Sequence, residues 1–196
     1  MIKQPFFTII LFLIIATTAH SQELYHSGGI SGSIMRATLK GPLGKSGRFG
    51  MTHLHLNYYP RVSFPLNYFS TLSAGILFGV GGGFINNDFL SVKGNYISYD
   101  IPLVIDYNVG YKASEPGDDH IGFYFGFGGG YTATQRDTLG VTSFKANSFG
   151  ILARAGIRLD LEIQEKNTGI SIGFFHKIGM GEEKYKTSGI NVMLDF

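Results

Sequence analysis

The sequence of 196 residues contains no cysteine and no tryptophan, and only 15% of its residues are charged. Without cysteine the mature chain has no disulfide framework, no thiolate metal site and no lipid-anchored cysteine. Soluble domains usually carry about 25% charged residues, so the low charge argues against an ordinary water-soluble surface. The formal net charge of +2 is too small to indicate a nucleic-acid partner.

Glycine and aromatic residues are abundant instead. The chain has 28 glycines, 17 phenylalanines and 11 tyrosines, spread along its length and not gathered in one segment. This composition indicates strands with apolar outer faces. The length allows one domain and leaves no room for a second large core.

The N-terminus has the features of a secretory signal peptide. Lys3 supplies a short positive region, and an apolar stretch runs from Phe6 to Ala16. Small residues at Ala19 and Ser21 predict cleavage before Gln22. The apolar stretch is shorter than the ~20 residues that a membrane-spanning helix needs. We therefore assign residues 1–21 to a signal peptide and residues 22–196 to one β-barrel domain.

After Gln22 no segment reads as a convincing amphipathic helix, and alternating apolar segments follow one another between turn-rich stretches. The predicted strands are 29–39, 48–59, 69–81, 96–112, 121–133, 146–162, 168–179 and 185–196. An even number of strands is usual for bacterial single-chain barrels. The sequence predicts an all-β fold, a closed antiparallel up-and-down transmembrane β-barrel of about eight strands.

The alternation indicates which face meets the lipid. In strand 146–162 one face carries Phe149, Ile151 and Ile157, whereas the other carries Arg154 and Arg158. Faces opposite the apolar ones are rich in glycine and mixed charge, unlike the Lys- and Glu-rich surface of a soluble sheet. Aromatic residues also cluster toward strand ends, as expected for interfacial girdles. The apolar faces are therefore predicted to point outward into lipid.

Threading the chain with its mature N-terminus in the periplasm assigns the connections to two sides. The external loops are predicted near residues 40–47, 82–95, 134–145 and 180–184, and the periplasmic turns near 60–68, 113–120 and 163–167. The longest external loop, Gly82 to Asn95, contains the apolar residues Phe84, Phe89 and Leu90. Exposed apolar groups in a loop mark either a partner surface or packing over the barrel mouth.

Several segments resemble the small outer-membrane β-barrel domain family of Bacteroidetes-type bacteria, the PorT-like proteins. The resemblance covers the chain from about residue 28 to its end, beside a Ser-Gln signal-peptide end. It rests on residues 99–103, the glycine-aromatic strand from Gly122 to Tyr131, residues 154–158 and the final segment from Asn191 to Phe196. It implies insertion into the cell outer membrane, with outer-membrane lipids and the barrel-assembly machinery as partners. Phe196 resembles the terminal aromatic residue that this machinery reads.

Charged residues of both signs are predicted to face the lumen: Arg36, Asp100, Asp106, Arg154, Arg158 and Asp160. The strand 121–133 between the aspartate and arginine strands is largely glycine on its inward face, so an arginine can reach across it to an aspartate. Eight strands leave an interior just wide enough for side chains to fill. Because buried charges are costly unless paired, we interpret these residues as an interior ion-pair network; a proton or substrate path is the alternative.

The other motifs give only weak evidence for a nucleotide- or metal-binding site. Gly44-Lys45-Ser46 resembles the end of a phosphate-binding loop, but Leu39 stands where the pattern requires glycine and no helix follows. The glycine runs at 79–83 and 126–130 lack the final glycine of a dinucleotide fingerprint. His53 and His55 share a strand face and could bind a metal, although filling of a polar lumen is the simpler interpretation. We assign no cofactor, no metal and no catalytic residue.

The sequence favours a non-enzymatic outer-membrane barrel with a narrow plugged lumen and a structural or loop-mediated binding role. One alternative is an outer-membrane lipid-modifying enzyme, for which Ser143 and Ser148 lie near the rim but without a histidine beside them. Another alternative is a soluble lipocalin-like ligand carrier, which would require an apolar interior and a polar exterior. The physiological partner is not identified by the sequence.

Overall fold

The computed structural model describes residues 23–40, 46–87, 92–111, 120–136, 144–161, 168–180 and 185–196. The predicted signal peptide, Gly44-Lys45-Ser46, Phe89, Leu90 and Ser143 lie outside these ranges. Nine strands are present in them: β1 (Glu23–Lys40), β2 (Ser46–Asn67), β3 (Ser70–Ile76), β4 (Phe78–Asn87), β5 (Val92–Gly110), β6 (Ile121–Arg136), β7 (Phe144–Asp160), β8 (Gly169–Met180) and β9 (Tyr185–Asp195). Within the described ranges no helix has the length and apolar character needed to cross a membrane.

The strands form one closed antiparallel sheet. Strands that follow one another in the chain pair, except β3 and β4, which each pair with β2 and β5. β9 returns to pair with β1 from Ser27–Asp195 to Ala37–Tyr185. Beyond the end of β9, Phe196 and His26 exchange two backbone hydrogen bonds of 2.9 and 3.1 Å. Closure gives backbone N–H and C=O groups partners without water, as a membrane-spanning sheet requires. The predicted closed up-and-down barrel is confirmed.

β3 and β4 together occupy one position in the ring, between β2 and β5. Gly75 of β3 pairs with Arg61 of β2, and Phe78 of β4 pairs with Tyr58 of β2. The advance of three residues from Gly75 to Phe78 matches the three residues between Arg61 and Tyr58, so no residue is inserted between β3 and β4. Leu77 donates its N–H to the Pro102 carbonyl at 2.9 Å. Pro102 on β5 and Pro60 on β2 have no N–H to donate to the ladder, which explains the interruption. The hydrogen-bonded ring therefore has eight positions, as predicted.

Two predicted connections are strand in the structure. β2 continues to Asn67, so most of the turn expected at 60–68 is strand. β4 continues to Asn87 and β5 begins at Val92, so most of the loop expected at 82–95 is strand as well. Phe84 therefore lies on a strand, 68% exposed on the outward face, and its assignment to an external loop is wrong. Pro60, Gly82 and Gly83 lay in predicted connections, but the in–out alternation of the strands continues through them. β2 has 22 residues and β5 has 19, about twice the 9–11 that cross a bilayer.

The barrel is apolar outside and polar inside. On β7 the side chains of Phe149, Ile151 and Ile157 are exposed, whereas Arg154 and Arg158 are buried. The predicted orientation of the apolar faces is thus confirmed. We call the end that holds Glu23 and Phe196 the terminal end, and the opposite end, where β1 finishes and β9 begins, the loop end.

Candidate functional site in the barrel interior

The lumen holds charged side chains at three levels. Along β5, from the terminal end toward the loop end, Asn108, Asp106 and Asp100 each contact a cationic side chain of β7 or β8. A charge taken out of water is costly unless an opposite charge and hydrogen bonds compensate it. Each level shows how the sequence meets that requirement.

The central level is a bidentate pair between Arg154 and Asp106. Arg154 Nε donates to Asp106 Oδ1 at 2.8 Å, and Arg154 Nη2 donates to Oδ2. Tyr59 Oη also donates to Oδ2, at 2.7 Å, so the fully buried carboxylate accepts three hydrogen bonds. The Arg154 guanidinium carbon lies 4.4 Å from the centre of the Tyr59 ring and 5.2 Å from that of Tyr124, a distance at which cation–π attraction contributes.

Glycine on β6 makes this pair possible. Gly126 lies between Asp106 and Arg154 in the register of the three strands. A Cβ at position 126 would stand 2.0 Å from Asp106 Oδ1 and 3.1 Å from Arg154 Cγ. The two side chains therefore meet in the space that a side chain of β6 would occupy.

The level at the terminal end contains two arginines around one aspartate. Asp195 lies 3.4 Å from Arg61 Nη1 and 3.6 Å from Arg158 Nε. Arg61 Nη1 also donates to Ser27 Oγ at 2.5 Å, and Arg158 Nη1 donates to Asn108 Oδ1 at 2.6 Å. Each of these neutral acceptors satisfies one donor atom of an arginine.

The level toward the loop end pairs Lys177 with Asp100. Lys177 Nζ lies 2.5 Å from Asp100 Oδ1 and donates to Thr132 Oγ1 at 2.6 Å. Thr132 Oγ1 donates in turn to Asp100 Oδ1 at 2.8 Å. A lysine, a threonine and an aspartate from three strands thus form a closed triangle of polar contacts.

Two histidines lie beyond Lys177, nearer the loop end. The rings of His53 and His55 have centroids 5.6 Å apart. His55 Nε2 lies 2.6 Å from Ser98 Oγ, and His53 Nδ1 lies 3.5 Å from the same oxygen. No group of three His, Cys, Asp or Glu side chains with metal-binding geometry occurs among the described residues. The contacts favour hydrogen bonding to Ser98 over metal ligation.

A small cavity lies between these histidines and the Lys177–Asp100 pair. Its volume is about 30 Å³, and Leu77, Leu152 and Phe175 line its apolar side. That volume holds roughly two ordered waters. Tyr59, Val104, Leu152 and Met193 form a buried apolar cluster, with Leu77 and Phe175 packed against it. Packed side chains therefore occupy this part of the lumen.

The structure brings some of the predicted interior residues together and separates others. Arg154 meets Asp106, whereas Arg158 contacts Asp195 and Asn108. Asp160 lies 3.5 Å from the exposed His120 at the terminal end.

Arg36 requires a correction, since it is exposed on the outward face while Ser33 and Met35 of β1 point inward. The reason is positional. β1 carries small residues on both faces, so its alternation is weak, and Arg36 follows Ile30 and Ile34 on the outward face.

Among the described residues, three buried ionic residues were missed: Arg61, Lys177 and Asp195. Arg61 fell in a predicted turn, because Pro60 and Pro65 beside it are turn residues. Lys177 and Asp195 share faces with Ser171 and Asn191, respectively, and this alternation was the signal that could have found them. Ser148, a candidate rim nucleophile, donates to the Phe149 carbonyl at 3.1 Å.

Comparison with known proteins extends the fold assignment. No protein-family model matches the sequence, and no curated protein matches it significantly. Among solved structures, Neisserial surface protein A (NspA) matches with a TM-score of 0.51 and 11% identity over 90% of this chain and 98% of that chain. Ail of Yersinia pestis, in complex with the heparin analogue sucrose octasulfate, matches at 0.43 and 14% over 89% and 99%. The N-terminal β-barrel domain of Pseudomonas aeruginosa OprF matches at 0.37 and 13% over 86% and 99%.

These neighbours are small outer-membrane β-barrel proteins. The likeness to NspA shows that the chain shares their fold, and at 11% identity it shows the fold alone.

Proposed function

We propose that this chain, which has the fold of small outer-membrane β-barrel proteins, is a non-enzymatic component of the cell outer membrane with a closed lumen. The observation that carries this proposal is the inversion of polarity across the closed wall: ion-paired side chains inside, apolar side chains outside. A structural role, or binding by the segments that connect strands at the loop end, follows from a wall of this kind. The PorT-like resemblance remains our proposal for its family.

The alternatives have less support. A soluble lipocalin-like carrier would need a polar exterior, whereas large apolar residues cover the outside of this barrel. A lipid-modifying enzyme would need a base beside a rim serine, and the contact found for the Ser148 hydroxyl is with the adjacent backbone carbonyl. The contact of the Ser148 hydroxyl therefore does not favour catalysis.

We expect the protein to fractionate with the outer membrane and to migrate faster on gels when unboiled than when boiled, because a closed hydrogen-bonded sheet resists detergent. Cell fractionation followed by paired gel lanes measures both properties. Recovery in the soluble periplasmic fraction, with one mobility in both lanes, would refute the proposal.

Purified protein in planar bilayers is expected to give no stable stepwise conductance at neutral pH. The apolar cluster around Leu152 and the Arg154–Asp106 pair fill the lumen, and eight strands leave little spare volume. A porin added to the same membrane provides the positive control. Well-defined single-channel steps from the protein alone would show that the lumen is open.

Phe196 is proposed as an assembly signal. Its ring stacks on His26 at 6.3 Å and is largely exposed, so Phe196→Ser removes few interior contacts. We expect this change to lower the amount of heat-modifiable barrel in the outer membrane several-fold while leaving the refolded protein nearly as stable. Leu194→Ser, an equally polar change two residues earlier on the same outward face, is the matched control. Equal losses for the two variants would show that apolar surface, and not a terminal signal, matters.

A further inference from the structure

The outward face of the barrel carries an unusual pair of charges. Among the side chains that the structure describes, the carboxylates all occupy inward-facing strand positions: Glu23, Asp100, Asp106, Asp160 and Asp195. The formally charged residues on the outward face of this described part are Arg36 and Lys186. They are direct cross-strand neighbours on β1 and β9, and both are exposed.

The height of Arg36 and Lys186 on the barrel wall can be measured from an aromatic cluster at the terminal end. There His26 stacks with Tyr58 at 5.9 Å and with Phe196 at 6.3 Å. Arg36 lies ten residues beyond His26 on β1, and Lys186 lies ten residues before Phe196 at the end of β9. Ten residues extend roughly 33 Å along a strand, or about 25 Å across a wall tilted near 40°, which equals the height of the apolar band of such barrels.

The outward residues between these two levels are apolar or small: Gly28, Ile30, Gly32 and Ile34 on β1, and Ser188, Ile190, Val192 and Leu194 on β9. The basic pair is therefore separated from the aromatic cluster by the thickness of the hydrocarbon core of the membrane. It lies at the headgroup level of the leaflet on the loop-end side.

The pair also has the chemistry of an anion site. Like charges directly opposite each other on neighbouring strands destabilise a sheet, and a phosphate placed between them removes that repulsion. The Arg guanidinium offers a planar bidentate donor to phosphate, and the Lys ammonium adds a point charge. His176 Nδ1 and Ser188 Oγ, 2.8 Å apart, lie one outward position closer to the apolar band and extend the polar patch.

We infer that Arg36 and Lys186 bind the phosphate group of a phosphorylated lipid in the leaflet at the loop end. The inference rests on the membrane-spanning barrel proposed above and adds a ligand class and a site to it.

The test measures lipid binding by the full chain, folded in zwitterionic detergent, with native mass spectrometry as the readout. The probes are lipid A with its phosphates, the same lipid after enzymatic dephosphorylation, and inorganic phosphate. We expect the phosphorylated lipid to bind at least tenfold more tightly than the dephosphorylated lipid. The double variant Arg36→Gln/Lys186→Gln should lose about 25-fold in affinity, roughly fivefold for each basic residue. The charge-conserving exchange Arg36→Lys/Lys186→Arg should keep most of it.

Equal binding by the wild-type protein and the double Gln variant would overturn the inference. Competition by inorganic phosphate at the affinity of the lipid would assign the pair to a free anion and overturn the lipid site. Each sample is also run boiled and unboiled on gels. Heat-modifiable protein without phosphate preference refutes this site alone, whereas absence of a heat-modifiable barrel refutes the proposed function and the site with it.

Discussion

Replacement of Arg154 with methionine is expected to destabilise the barrel by about 3–5 kcal/mol, the usual effect of removing one partner from a buried ion pair. The change leaves the Asp106 carboxylate buried, with the Tyr59 hydroxyl as its remaining donor among the contacts described above. Urea unfolding of the refolded protein, followed by the fraction that keeps the fast gel mobility, measures the free energy of unfolding.

Two companion variants make this result specific. Arg36→Met removes the same side chain from the outward face and should change stability in detergent by less than about 0.5 kcal/mol. Asp106→Asn removes the carboxylate charge but keeps an acceptor for Tyr59, so Arg154→Met/Asp106→Asn should recover much of the loss. Additive losses in this double-mutant cycle would show that Arg154 and Asp106 do not interact.

Gly126→Val should destabilise the barrel by about 3 kcal/mol, at the upper end of the range for an overpacked interior. Valine favours strands more than glycine does, so local propensity predicts the opposite sign. The new Cβ would stand 2.0 Å from Asp106 Oδ1, and that oxygen is held by Arg154 and cannot swing away without breaking the pair.

Gly32→Val is the matched control, because an added Cβ at position 32 meets nothing within 4 Å. It should leave the free energy of unfolding unchanged or raise it slightly, since glycine within a strand costs about 0.5–1 kcal/mol relative to alanine. The same urea series serves both variants. An unchanged free energy of unfolding for Gly126→Val would mean that Arg154 and Asp106 are farther apart across β6 than in the structure.

The fold was predictable because a period of two residues survives in most strands. Strand 146–162 and the last strand alternate clearly, and the sign of that alternation already identified the outward face. Prediction was weaker where the chain contains residues of turn character inside strands. Pro60, Pro65, Gly82 and Gly83 lay in predicted connections, but the neighbouring strands pair with the segments that contain them.

The interior contacts were predictable only in part. Asp106 and Arg154 flank one glycine strand, so their proximity follows from strand order alone. The contact of Arg158 with Asp195 depends on how far the strands are staggered around the barrel, and a single sequence does not fix that stagger. Arg36 failed for a different reason, because the in–out phase of β1 is set by its partners β2 and β9 and not by its own small residues.

The seam between β1 and β9 has a kinetic consequence. Ser27 and Asp195, which contact each other across it, are 168 residues apart in the chain. Contacts between residues so far apart in the chain form late. The entropy cost of closing the intervening loop arises before the contacts can stabilise the sheet. Until that moment every partial sheet has two unpaired edges, each a template for pairing with another chain. Aggregation during assembly therefore competes with this single closing step, and the lifetime of the open sheet sets the yield.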